Sequence, residues 1–216
     1  MKRGSHSKSR LSKGMLLMLA LVLVVGVSVG GTLAWLTAKS DKVENTFTSA
    51  ALFETPETDF TLWEHEAKDE DEDGRYVLNE TEVQANEYDI LPGVAIPKDP
   101  TVDIVGLQEH AYLYITVEGT LPTGMTYEID PDNWDELPGY DGVYVYCGEY
   151  APDNVIKPSV NDTFTVNILK DKEITVAGDF AGSNGASTLS FMAYMVQATG
   201  NGENAAAAWA NTYDTP

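Results

Sequence analysis

The sequence predicts an all-β protein, an antiparallel β-sandwich of jelly-roll-like form with one short C-terminal helix. Three observations support this fold class. Apolar and polar residues alternate with period two in seven stretches, turn-forming clusters of Gly, Pro and Asn separate those stretches, and the one good helix former is an alanine-rich run near the C-terminus. Many short strands without alternating long helices are typical of a sandwich.

The clearest alternation lies at residues 110–118. It places Leu113 and Ile115 on one face and Tyr112 and Tyr114 on the other, as in a half-buried antiparallel strand. Similar patterns predict strands at 43–53, 75–78, 101–105, 142–147, 163–169 and 187–198.

Turns are predicted where Pro, Gly, Asn and Asp cluster, at 91–93, 121–124, 130–133, 137–139 and 182–185. The helix is predicted over 203–211, with Asn201 or Asn204 as its N-cap. Its Trp209 would pack against the edge of the sheet. Trp134 is interpreted as structural or, alternatively, as an exposed aromatic for a glycan or protein partner.

The first 34 residues have the three-part layout of a secretory signal peptide. A basic stretch (2–13) precedes an apolar run (15–29) and an exit of small residues that ends at Ala34. Cleavage is therefore predicted between Ala34 and Trp35. Because the apolar run approaches the roughly 20 residues that span a bilayer, an uncleaved membrane anchor is the alternative.

A more specific pattern surrounds this cleavage point. Gly30, Gly31, Thr32 and Ala34 are followed by Trp-Leu-Thr at 35–37 and by Asn-Thr-Phe-Thr at 45–48. The pattern resembles signal peptides processed by the SipW-type signal peptidases of Gram-positive bacteria, whose substrates include the TasA and camelysin (CalY) family. Residues 96–102, and 192–198 with 207–210, are also similar to the entry strand and closing segment of that family.

The resemblance implies a secreted structural protein, a subunit or accessory of an extracellular biofilm-matrix fibre, in the cell-surface matrix of a Gram-positive bacterium. Subunits of that family join by strand complementation, which implies that residues 35–52 are a donor strand with Val43, Phe47 and Leu52 as apolar anchors. The predicted organisation is a signal at 1–34, this extended segment at 35–52, and a sandwich domain at 53–216 with an acidic loop at 64–74.

Charge limits the partners of the mature chain. Five of the 13 Lys and Arg residues lie in 1–34, which leaves eight against 34 Asp and Glu, a net charge near −26. Such a surface repels phosphate backbones and anionic lipids, so nucleic acid and, after processing, membrane are not expected partners. Metal cations, cell-wall polycations and, once charge is screened, other copies of the chain stay open as partners.

The single cysteine, Cys147, has no partner within the chain for a disulfide, so core packing must stabilise the exported fold. The alternation around it predicts a buried, inert thiol, with an intermolecular disulfide or a reactive nucleophile as alternatives.

The acidic loop contains the strongest candidate for a metal site. Asp69, Asp71, Asp73 and Glu80, with Gly74 at the turn, match the spacing of a calcium-binding loop, whose carboxylates supply the oxygen ligands of a hard cation. The flanking sequence predicts strands and not the two helices of an EF-hand, so a solvated hairpin turn is favoured over Ca²⁺ binding.

Two other functions stay open as alternatives. One is a monomeric secreted or surface-bound binding module. The other is a metal-dependent peptidase of the camelysin type, because the camelysin-like proteins that the chain resembles are classed as metallopeptidases. The chain contains three histidines, His6, His65 and His110, and His65 begins His-Glu-x-x-Asp where a zinc peptidase has His-Glu-x-x-His. No catalytic residues and no enzyme activity are therefore predicted.

Overall fold

A computed structural model of the chain describes residues 37–39, 52–53, 55–182 and 187–213. The chain divides into two units, Met1–Ala34 and Trp35–Pro216, and every described residue belongs to the second. In chain order the strands and helices are β1 Thr37–Lys39, α1 Pro56–Asp59, β2 Phe60–Lys68, β3 Val77–Val83, β4 Ile96–Pro97, β5 Thr101–Leu107, β6 Ala111–Gly119, β7 Met125–Thr126, β8 Trp134–Glu136, β9 Val143–Tyr146, β10 Ser159–Asn167, β11 Glu173–Val176, β12 Leu189–Gln197 and α2 Ala205–Tyr213.

The predicted all-β fold is confirmed. The strands form a five-stranded sheet (sheet A, order β1-β12-β6-β9-β8), a four-stranded sheet (sheet B, order β10-β5-β2-β3) and a small sheet (sheet C, order β4-β11-β7), with antiparallel pairing throughout. The jelly-roll connectivity stays a prediction.

One hydrophobic core joins sheets A and B in a sandwich-like arrangement. Sheet A contributes Leu113, Ile115 and Met195, and sheet B contributes Phe60 and Ile104, all of them fully buried. Since side chains alternate across a strand, these core residues occupy every second position of their strands. The prediction that packing stabilises this domain is consistent with the extent of that core.

Sheet A is covered on its outer face by α2. Trp209 lies 5.0 Å from Tyr114 and 5.2 Å from Tyr194 between ring centroids, and Tyr213 also packs against Tyr194. Asn204 is the cap, because its Oδ1 accepts the backbone N–H of Ala207 at 3.0 Å. The predicted helix is confirmed, and of the two candidate caps Asn204 is the one that the structure uses. The prediction that Trp209 packs against the edge of the sheet was wrong, because Trp209 and Tyr213 cover its outer face.

Two strand predictions need correction, and the structure decides between the two interpretations of Trp134. A strand that was not predicted, β2, covers Phe60–Lys68, so the acidic loop begins only at Asp69. The strand predicted at 75–78 forms later, at Val77–Val83. Trp134 is 3% exposed and donates its indole N–H to the Asn167 carbonyl at 2.9 Å, so it is structural and no glycan surface.

Candidate functional site

The outer edge of sheet A, at β12, is the first candidate for function. β12 pairs with β6 along its whole length, from Leu189 opposite Gly119 to Gln197 opposite Ala111. On its other side β1 pairs with three residues only: Thr37 lies opposite Val196, Ala38 opposite Met195 and Lys39 opposite Tyr194. The N-terminal segment thus supplies the edge strand of this sheet.

β12 itself is held rigidly because both of its faces are buried. Met195 is fully buried in the core between sheets A and B, and Val196 is fully buried against the layer that contains α2. Burial on both faces explains why the sequence of β12 is apolar almost without interruption. A rigid strand that keeps its backbone groups aligned is a good template for an added strand.

The rest of this edge has no neighbouring strand among the described residues. On the side away from β6, none of the described strands pairs with Leu189, Ser190, Phe191 or Met192. Open strand edges carry unpaired N–H and C=O groups that can bind another extended segment.

The predicted anchors of the donor segment separate into two groups. Val43 and Phe47 lie outside the described residues, as do the cleavage residues Ala34 and Trp35. Leu52 is described, and it lies in the core of its own chain, fully buried, with its carbonyl accepting the N–H of Gln108 at 2.9 Å. Leu52 is therefore not available to a neighbouring subunit while the domain is folded.

The acidic loop uses its carboxylates to close a turn between β2 and β3. Asp69 accepts the backbone N–H of Asp73 at 3.0 Å and that of Gly74 at 2.7 Å, and Asp73 accepts the N–H of Arg75 at 2.9 Å. Gly74 has φ +78°, a left-handed conformation that glycine adopts without strain. These contacts are those of the hairpin turn.

The calcium prediction receives no support from this geometry. Glu80 belongs to β3, and Asp71 lies at the exposed tip of the turn. Within the described ranges, no group of three or more His, Cys, Asp or Glu side chains is arranged to hold a metal ion. Calcium binding by Asp69, Asp71, Asp73 and Glu80 stays a prediction.

A polar cluster that the sequence did not reveal lies between β2 and the segment before β5. Lys98 Nζ is 2.7 Å from Glu64 Oε2, and both side chains are nearly buried, at 11% and 7% exposure. His65 Nδ1 is 2.6 Å from Asp99 Oδ2, and the His65 backbone N–H donates to Asp99 Oδ1 at 3.0 Å. The adjacent residues Glu64 and His65 on β2 thus bind Lys98 and Asp99, which are also adjacent and lie 34 positions further along the chain.

Tyr88 lies beside this cluster and donates its hydroxyl to the Pro97 carbonyl at 2.9 Å. Burial, reinforced by the nearby charges of Glu64 and Asp99, raises the pKa of Tyr88 well above its ordinary value. The phenol stays protonated and acts as a donor. The cluster is thus a set of satisfied contacts that fastens β2 to the segment before β5.

The histidine of this cluster does not form a zinc-peptidase motif. His65 lies on a strand, where residues four positions apart do not meet as they do on one turn of a helix, and its Nδ1 is taken by Asp99. Among the described residues, His65 thus does not supply the paired histidines of a zinc-peptidase motif, and the peptidase alternative stays a prediction.

Cys147 is half-buried and unpaired. Burial, with a smaller contribution from the charge of Asp135, raises the pKa of its thiol to about 11. At pH 8 the thiol is therefore protonated. Since the pKa is about two units above its ordinary value, we expect alkylation by iodoacetamide to be about 100-fold slower than for a model thiol at pH 8, and to accelerate as the pH approaches 11.

The urea-unfolded protein is the control for this alkylation, since unfolding removes the burial. The rate of modification is measured by intact mass spectrometry. A folded-state rate at pH 8 equal to the unfolded-state rate would show that Cys147 is reactive.

None of the helices in the described residues is long and apolar enough to span a membrane. No family model, no curated protein and no solved structure matches the chain.

Proposed function

We propose that the protein is a secreted structural subunit, or an accessory, of an extracellular matrix fibre that assembles by strand exchange. The observation that supports the proposal is the pairing of β1 with the edge of β12. A short terminal strand that completes a sheet edge within its own chain can complete the same edge in another copy, because the contacts are the same in both arrangements.

Such an exchange joins two different surfaces, the N-terminal strand of one copy and the β12 edge of the next. A contact between unlike surfaces that does not close into a ring produces an open filament. The domain can remain folded during exchange, since its core between sheets A and B is built from residues after the connector.

The strongly acidic mature chain affects how such copies associate. Like charges repel, and the repulsion is screened over about 8 Å at physiological ionic strength. Assembly in trans should therefore require salt or cations.

The export pattern supports an extracellular location. The Gly-Gly-Thr-Leu-Ala exit before Trp35 resembles substrates of SipW-type peptidases, and on the same grounds we place the chain with the TasA and camelysin type of matrix protein from Gram-positive bacteria. The SipW-type peptidase and other copies of the chain are the proposed partners.

A monomeric secreted binding module is the second candidate. The same β1 pairing favours it, because a chain that covers its own sheet edge needs no neighbour.

Electron microscopy of the secreted protein separates these two functions. We expect fibres from the protein that begins at Trp35, and folded monomer from protein that begins at Ala51, which keeps Leu52 and the whole core but lacks the connector. Circular dichroism checks that the shorter protein is folded. Fibres from the shorter protein, or monomer from both at all salt concentrations, would favour the binding module.

A further inference from the structure

The outer face of sheet B carries polar and aromatic side chains that none of the functions considered so far uses. Alternate residues of β2, β5 and β10 enter the core, among them Phe60, Ile104 and Phe164. The residues between them therefore face outward. The helix α2 packs against sheet A, on the opposite side of the core, and outward residues of sheet B such as Trp63 and Asp103 are only half-buried.

These outward residues form two neighbouring rows across the three strands. The members of each row lie directly opposite one another in the pairing of β2 with β5 and of β5 with β10. The first row, in that strand order, is Thr61, Asp103 and Thr165. The second row is Trp63, Thr101 and Asn167. Since neighbouring strands lie about 4.8 Å apart, each row is about 10 Å long. The face thus has room for a short stretch of an extended polymer.

A hydrogen bond holds the indole of Trp63 across the sheet. Its N–H donates to Asp103 Oδ2 at 2.8 Å, on the adjacent strand and in the other row. Thr101, directly opposite Trp63, is 2% exposed although it faces outward, which is consistent with a side chain that lies over it. A ring that is fixed before a ligand arrives loses little further side-chain entropy on binding.

The ring of His65 stands at a right angle to that indole. The two ring planes are 88° apart with their centroids at 4.8 Å, and Asp99 Oδ2 lies 2.6 Å from His65 Nδ1. The His65 side chain keeps 32% of its surface exposed, so this ring also reaches solvent. Trp63 and His65 therefore form a fixed aromatic corner, and Asp103 lies at the N–H edge of the indole.

Asp103 places a carboxylate beside this corner. Its Oδ2 accepts the indole N–H, and its Oδ1 accepts the hydroxyl of Thr165 at 2.6 Å. A carboxylate has about four acceptor positions, so about two remain for a ligand. None of the ion pairs among the described residues includes Asp103. An aromatic face beside such a carboxylate favours an organic ammonium group, which both attract.

We propose that this surface, formed by Trp63, His65, Asp103 and Thr165 and called the sheet B platform, binds an amine-bearing polysaccharide of the glucosamine type. The C–H face of one sugar ring stacks on the indole, its ammonium group binds Asp103, and its hydroxyls bind Thr165. The net charge supports a cationic polymer, because the chain after residue 34 has eight Lys and Arg against 34 Asp and Glu and attracts polycations over a distance.

The strand order favours a glycan over a basic peptide at this platform. β2 lies between β5 and β3, and β5 lies between β10 and β2, so both are interior strands of the sheet. An extended peptide finds no open strand edge on them to join. Recognition therefore depends on side chains alone, and the platform offers a ring for stacking, a hydroxyl and a carboxylate.

The platform lies on sheet B, whereas the β12 edge belongs to sheet A. Its ligand therefore does not depend on strand exchange, and the site suits a fibre subunit and a monomeric binding module alike. In a fibre, each copy would present one platform, and repeated sites would bind one long polymer with higher avidity.

Isothermal titration calorimetry of the soluble secreted protein tests the platform. The probe is a hexamer of β-linked glucosamine. Two matched probes separate its features: the N-acetylated hexamer has the same rings without the charges, and a lysine hexamer has the charges without the rings. We expect the glucosamine hexamer to bind about tenfold more tightly than either. Equal affinity for the acetylated hexamer would overturn the role of the amine, and equal affinity for the lysine hexamer would overturn the assignment to a glycan.

Two single-charge variants separate the platform from general attraction to an acidic protein. Asp103→Asn keeps the shape of the side chain and removes its charge, so it should weaken binding of the glucosamine hexamer about tenfold. Glu136→Gln removes one exposed negative charge on β8 of sheet A and should weaken binding less than about twofold. Equal effects of the two variants would show that only net charge attracts the polymer, and the platform would be refuted.

NMR of the indole N–H signals in the unmodified protein gives a measurement that does not depend on the folding of a charge variant. Titration with the glucosamine hexamer should shift the signal of Trp63, which is assigned by its loss in Trp63→Phe. The signal of Trp209, which is 6% exposed on the outer face of sheet A, should stay in place. An unchanged Trp63 signal at saturating hexamer, or equal shifts of both signals, would overturn the inference.

Discussion

Replacing Glu64 with leucine should lower the free energy of unfolding by about 3–5 kcal/mol. The carboxylate of Glu64 neutralises the ammonium of Lys98 at 2.7 Å, and both side chains are nearly buried. Without Glu64 the positive charge of Lys98 stays in a region of low dielectric with no partner, which is the costly way to break a buried pair. The change is measured as the shift of the urea unfolding midpoint.

Two variants serve as controls for that measurement. Glu64→Leu with Lys98→Met removes both charges and should recover most of the lost stability, since apolar replacements of a whole buried pair are often neutral. Glu66→Leu, on the same strand, removes the partner of Lys68 in a more exposed pair together with a hydrogen bond from Asn79, and should shift the midpoint much less than Glu64→Leu. If Glu64→Leu behaved like Glu66→Leu, the cluster would not fasten β2 to the segment before β5.

Replacing Ala38 with proline should abolish fibres and leave a folded monomer. Ala38 is the central residue of β1, opposite Met195, and proline has no N–H for the ladder and fits poorly within a strand. β1 pairs with three residues only, so its loss should affect the core little. Ala38→Val, which suits a strand, is the matched control and should assemble normally.

Sedimentation and electron microscopy measure the effect of Ala38→Pro. Fibres of normal length from this variant would show that β1 does not join the subunits. Loss of fibres from both Ala38→Pro and Ala38→Val would mean that position 38 is merely crowded, and strand pairing would lose its support.

The sequence predicted best those elements whose neighbours along the chain determine them. β6 alternates cleanly because one face meets the core and the other meets aromatic residues, and α2 has a capping Asn204 before an alanine run. The ranges of β5, β9, β10 and β12 also overlap those of predicted strands, because their core residues recur at every second position.

The sequence could not predict contacts that depend on distant residues. β2 was missed because Glu64 faces the interior, and only the partner Lys98, which lies 34 residues away, makes that burial acceptable. The pair His65–Asp99 has the same sequence separation and gives no local signal. Sheet C includes two strands of two residues each, too short for a period to be visible.

At the candidate site, too, the neighbour of β12 could not be predicted from the local sequence. Its sequence predicted a buried strand, but an apolar run does not show which strand lies beside it. The position of Leu52 likewise depended on the fold, since an apolar residue at the end of a connector can anchor to its own core or to a neighbour.

In the proposed fibre, β1 of one copy lies on β12 of the next copy. Solid-state NMR on fibres grown from equal parts of ¹³C-labelled and ¹⁵N-labelled protein tests it directly, because a ¹³C–¹⁵N correlation between the two labels arises only between copies. We expect such correlations between residues 37–39 and residues 194–196. Fibres of uniformly doubly labelled protein serve as the reference. If the correlations appear in those fibres but not in the mixed-label fibres, β1 pairs with β12 of its own chain, and the proposed strand exchange is contradicted.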